Sequence, residues 1–192
     1  MEKSKCAKII RVVTIAPLMA FAALTVMYVF RPEIFGLATN YFLSVIFLTV
    51  IPISAYMLQP HISHLKEQGR NGQRKAAIIM AVFGYIAGLI SSLICKAPKT
   101  CVLIYLLYFI SGIFIVLFNG ILKIRASGHA CGIMGPLTLL IYFFGGYAAF
   151  GLIVLIPVWI SSIKLKRHTN AEFVLGSVIP VVSLAAALAI IM

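Results

Sequence analysis

Acidic residues are almost missing from this chain. It has no aspartate and four glutamates (Glu2, Glu33, Glu67 and Glu172) against sixteen lysines and arginines in 192 residues. Clustered carboxylates of the kind that hold magnesium or calcium are therefore not expected, and no metal or other cofactor is. Charge of either sign is scarce, at 10% of residues where a soluble domain has roughly 25%. With 62% hydrophobic residues and a mean hydropathy of +1.11, a water-soluble domain is excluded. The four cysteines (Cys6, Cys95, Cys101, Cys131) include no Cys-x-x-Cys pair, which argues against a zinc knuckle or a redox motif. Cys95 and Cys101 bracket a tight turn and would pair only in an oxidising space. No low-complexity tract or internal repeat interrupts the pattern.

What is present is long apolar sequence. Seven segments run over about 9–30, 35–58, 76–95, 101–121, 130–145, 147–162 and 172–191, set against the ~20 residues that a helical crossing needs. The breaks between them carry proline, glycine or charge, as at Arg31-Pro32, Gln59 through Lys75, Lys96 through Lys99 and Gly145-Gly146. The runs are continuously apolar rather than alternating, so a closed barrel is not indicated. The expected fold is an all-α polytopic membrane bundle of six to seven transmembrane helices, with residues 1–192 forming one domain. The basic N-terminus resembles a signal peptide, but the apolar run behind it is too long and is read as the first span.

Counting loops by parity puts the N-terminus, 59–75, 122–129 and 163–171 on one membrane face. That face carries all four histidines (His61, His64, His129, His168) and thirteen of the sixteen basic residues. Lys3, Lys5, Lys8 and Arg11 read as topology signals that place this face in the cytoplasm. His61 and His64 read as solvated loop residues. Anionic membrane lipid is the expected partner of the basic loops, and nucleic acid is not.

Three polar stations open predicted helices on that face, where unpaired N–H groups favour anions. They are Lys66 to Lys75, Lys123 to Gly132, and Ser161 to Glu172. His168 and Glu172 are four residues apart, so on a helix the carboxylate accepts the imidazole Nδ1–H and leaves Nε2 free to attack phosphorus. His129 suits the general acid that protonates the departing oxygen. Ser127 and Gly128 offer a hydroxyl and an approachable backbone to phosphate, and Lys66, Arg70, Arg74, Lys123 and Arg125 offer charge. Gly84 and Gly88 read as a helix contact, and Asn40 and Asn119 as interface residues.

These residues resemble the phosphatidic acid phosphatase type 2 superfamily of lipid phosphate phosphatases. The family signature is Lys, six residues, Arg-Pro; then Pro-Ser-Gly-His; then Ser-Arg, five residues, His, three residues, Asp. The chain has Ala126-Ser127-Gly128-His129, then Ser161-Ser162, five residues, His168, three residues and Glu172, with about 32 residues between His129 and Ser161. The family arginine of the third motif falls on Ser162 and its aspartate on Glu172. In the first motif Lys66 to Arg74 is one residue too long and no proline follows. The resemblance implies a phosphohistidine mechanism with His168 as nucleophile, His129 as acid/base, Glu172 as orienter, and Ser127, Gly128, Arg70 and Arg74 on the phosphate.

The expected activity is metal-independent hydrolysis of a phosphomonoester or diphosphate of a lipid or isoprenoid alcohol, with the bilayer holding the tail. Two alternatives stand beside it: a catalytically weak relative that binds lipid phosphate, and a small membrane transporter or assembly subunit.

Overall fold

The computed structural model describes residues 2–192, and the side chains of residues 2–4 and 8 fall outside the description. The topology reading of Lys3 and Lys8 therefore lies outside the described residues. The described chain is helical throughout. Helices α1 (Glu2–Val13) and α2 (Ala16–Phe30) form an apolar pair, with a bend of 49° between Lys5–Val13 and Ala16–Phe30. The bend has a local cause, because Pro17 has no N–H and its ring would strike the Val13 carbonyl in a straight helix.

A 3-10 turn at Pro32–Ile34 leads into α3 (Ala38–Val45), a π-turn at Ile46–Val50 and α4 (Ile51–Leu58). Short α5 (Ser63–Glu67) precedes α6 (Gly69–Ile94), and α7 (Lys99–Val116) runs on through a π-turn at Leu117–Ile121. Then follow α8 (Gly128–Phe144), a 3-10 stretch at Gly145–Val154, α9 (Leu155–Lys164) and α10 (Asn170–Ile191). Five stretches are long and apolar enough to cross a bilayer (Ala38–His61, Gly69–Ile94, Lys99–Ile121, Gly128–Lys164, Asn170–Ile191), or six where the bent α1–α2 pair is counted as one span. The protein is an all-α, multi-pass membrane protein.

Gly128–Lys164 doubles back on itself. Gly145 ends α8 at φ +75°, a conformation that glycine adopts freely. Beyond it Gly151 lies against Leu137, and Val158 joins Ala130 and Ile133 in one buried cluster. The returning pass looks short in the sequence, but its first ten residues are wound as a 3-10 helix. At a rise of ~2.0 Å per 3-10 residue and ~1.5 Å per α residue, 145–164 reaches about 35 Å.

The main apolar core (Met27, Phe35, Leu48, Ile104, Tyr105, Leu107) lies toward the end opposite the histidines, near the 31–35 and 96–100 loops. Within it Ser44 Oγ donates to the Asn40 carbonyl at 2.8 Å and accepts from Tyr105 Oη at 3.0 Å, and Asn40 Nδ2 donates to the Phe35 carbonyl at 2.8 Å. Gly84 and Gly88 are helix contacts as expected, seated on the Phe47 backbone and the Tyr105 ring. Large apolar side chains such as Phe30, Ile79, Phe83 and Ile190 face outward, as lipid contact requires. All four cysteines are free.

At the histidine end, α10 packs against the start of α8 through Gly176, where an added methyl would collide with the Ser127 carbonyl. Gly176→Ala is expected to destabilise the protein by about 1–3 kcal/mol through overpacking. Gly120→Ala, where a methyl meets nothing, should be nearly silent. Thermal unfolding in detergent reads both, and equal melting temperatures would remove this contact from the account of the fold.

Candidate functional site

The third station is organised by one carboxylate. Thr169 caps α10 in extended conformation, its hydroxyl accepting the Glu172 N–H at 3.3 Å. In return Glu172 Oε2 accepts the Thr169 N–H at 3.2 Å, completing a capping box. The same oxygen accepts His168 Nδ1–H at 2.9 Å, and Oε1 faces Arg125 Nε at 3.8 Å. With the proton held on Nδ1, the Nε2 lone pair of His168 is free. Burial holds the His168 pKa below the ordinary histidine range. The Glu172 hydrogen bond and charge pull it back up, while Arg11 and Arg74 add to the depression. The ring is therefore neutral at pH 7, the state a nucleophile requires.

The second station is pinned to the third. Asn119, in the π-turn after α7, clasps Ala126 from both sides, its Oδ1 accepting the Ala126 N–H at 3.0 Å and its Nδ2 donating to the Ala126 carbonyl at 3.2 Å. The next residue, Ser127, donates its N–H to the Glu172 carbonyl at 2.9 Å. Its hydroxyl caps α8 by accepting the Ala130 N–H at 3.3 Å. His129 follows in the first turn of α8. Its Nε2 lies 3.1 Å from Thr14 Oγ1, and Thr14 donates its one hydroxyl proton to the Ile10 carbonyl at 2.7 Å. Thr14 can then only accept, so the His129 proton sits on Nε2.

A cavity of about 480 Å³ opens at this end of the bundle. His129 and His168 both line it, with Gly128, Arg70, Arg74 and Arg125 from the expected phosphate set. Arg11, Lys166 and Arg167 stand on the same wall. Below the charged rim the lining turns apolar through Pro52, Ala77, Ala81, Val82 and Leu107, down to Tyr85 and Tyr108. Arg70 and Tyr85 both belong to α6, and fifteen helical residues span about 22 Å. The cavity therefore runs inward from its charged rim along α6.

Three expected phosphate ligands are corrected. Ser127 is fully buried off the cavity wall, where its hydroxyl is turned to the helix it caps. Lys66 and Lys123 are exposed and away from the cavity. Arg11 corrects the topology reading instead, because its guanidinium lines the cavity and donates from Nη1 to Ser162 Oγ at 2.8 Å. Asn119, read as an interface residue, lines the cavity as the loop's anchor. His61 and His64 remain exposed. Among the described residues no three His, Cys or Glu side chains gather as metal ligands would.

The chain matches no protein-family model, no curated protein and no solved structure.

The balance of forces on His168 gives a direct measurement. Glu172→Gln removes the two influences that raise its pKa, so the ring should hold its proton less tightly and titrate at lower pH than in the wild type. NMR titration of the labelled imidazole reads the shift. An unchanged or higher midpoint would mean that the carboxylate does not control this ring.

Proposed function

We propose that the protein is a membrane-embedded hydrolase of a lipid or isoprenoid phosphate or diphosphate, working through a phosphohistidine and resembling the phosphatidic acid phosphatase type 2 superfamily. The observation that carries this reading is the 2.9 Å bond from His168 Nδ1 to Glu172, which frees Nε2 in a cavity that His129 also lines. The apolar depth of that cavity supports an amphiphilic substrate over a water-soluble one.

In the reaction, His168 Nε2 attacks phosphorus and the bond from phosphorus to the leaving oxygen breaks. His129 takes the proton that the bound phosphate monoanion carries and gives it from Nδ1, the nitrogen that Thr14 leaves free, to that oxygen as the lipid alcohol or phosphate departs. Neutral His129 then takes a proton from water, which attacks the phosphohistidine. Phosphate leaves and His168 is regenerated. Glu172 holds the imidazole orientation and offsets the charge His168 gains in the first step. Arg70, Arg74, Arg125 and the Gly128 backbone face the phosphate oxygens.

The proposal is tested by phosphate release from purified protein in chelator, using a panel from water-soluble phosphomonoesters to polyprenyl phosphates and diphosphates. His168→Ala is expected to abolish turnover, and His129→Ala to lower it roughly 10²–10⁴-fold. The chain-bearing substrates should be the better ones. Turnover equal in wild type and both variants would exclude this mechanism.

Sidedness belongs to the same proposal, with the site facing the cytoplasm. Of the thirteen basic residues on the histidine face, six line the cavity, leaving seven against the three of the opposite face (Arg31, Lys96, Lys99). Cys6 and Cys95 are both exposed and lie toward opposite faces, which makes them built-in reporters. In whole cells an impermeant maleimide should label a Cys95-only variant and spare a Cys6-only variant. The reverse pattern would put the site outside.

A further inference from the structure

Six cations line the cavity, and among the described residues the carboxylate that pairs with one of them, Glu172, is engaged by His168 and Arg125. Among the described residues no carboxylate lies within 4.0 Å of Arg11 or Arg167. These two arginines nevertheless stand close enough for their like charges to act on each other. Ser162 brings them together. Its hydroxyl accepts from Arg11 Nη1 at 2.8 Å, and its carbonyl accepts the Arg167 N–H at 2.9 Å. The second bond belongs to a Schellman turn ending α9, in which the Lys166 N–H reaches the Ile163 carbonyl at 2.9 Å with Lys166 at φ +50°. A left-handed lysine there is strained, and the turn it permits aims the following arginine at the cavity. The Nε of Arg167 is buried and has no hydrogen-bond partner. Two guanidinium-bearing residues tied to the same serine on one cavity wall, one with an orphaned buried donor, form the kind of site that a phosphate group satisfies.

We propose that Arg11 and Arg167, organised by Ser162, form a guanidinium clamp for the phosphate group, with Arg11 brought to the site by the bent α1–α2 pair. The inference rests on the phosphate reading above and adds the residues that hold the anion. It also accounts for a serine at 162, whose hydroxyl and carbonyl each fix one arm of the clamp. Of the remaining cavity cations, Arg125 is partly committed to Glu172 and to the Arg167 carbonyl at 3.4 Å.

The test is the binding of inorganic phosphate to the full-length protein in detergent, followed by calorimetry, beside phosphate release from the best substrate. Arg11→Ala is expected to weaken phosphate binding about tenfold or more, as loss of a charge-assisted contact should. Arg11→Lys should restore part of it, keeping the charge without the planar fork. Ser162→Ala should weaken binding by less, because Arg11 keeps its charge but loses its tether. Lys75→Ala, which removes an exposed cation held by Gln68, should match the wild type. Should Arg11→Ala not elute as folded protein, Ser162→Ala and Arg167→Lys decide the matter. Wild-type protein that binds no phosphate, or Arg11→Ala that binds it as the wild type does, overturns the clamp. Arg11-dependent binding without turnover in the wild type would keep the clamp and remove the hydrolase reading, so the two fail separately.

Discussion

The site depends on where the Glu172 carboxylate is held. An acid at the mouth of an apolar helix is costly in a membrane unless its oxygens are occupied. Here one oxygen closes the capping box of the last helix and takes the His168 proton, and the other faces Arg125. The backbone of the same residue receives the Ser127 N–H. A single residue therefore starts a helix, fixes a tautomer and ties together the loops that carry the two histidines. Gly176, one turn further along, lets the helices approach closely enough for that tie to form.

Around this point the protein solves a packing problem particular to membranes. A cavity that is charged at one end and apolar at the other must be built without leaving backbone groups bare in between. The helices supply their own backbone bonds, and the irregular segments lie where side chains complete them. Asn119 does so for the loop before α8, and the Schellman turn does so after α9. The π-turn that carries Asn119 fits the tendency of such bulges to occur beside functional sites.

The parts legible in the sequence were those written in short-range pattern. The apolar runs declare their helices because nothing interrupts them, and Gly84 and Gly88 show their contact by their spacing. His168 and Glu172 could be paired because four residues fix a shared face. Arg11 and Thr14 were not legible, since their partners lie 151 and 115 residues away. At the N-terminus a cation looks like a topology signal whichever way its side chain turns. Ser127 shows the opposite failure. A hydroxyl beside Gly-His reads equally as a phosphate ligand or a helix cap, and only burial separates the two. Lys66 and Lys123 had the right charge on the right face, but the cavity forms elsewhere on it.

The bent α1–α2 pair also bears on how the protein comes into being. Part of the cavity wall comes from Arg11, Ala16 and Pro17, while the imidazole facing it belongs to His168, far later in the chain. The pocket therefore forms only once segments that lie far apart in the chain have met, and its contacts are among the longest-range in the fold.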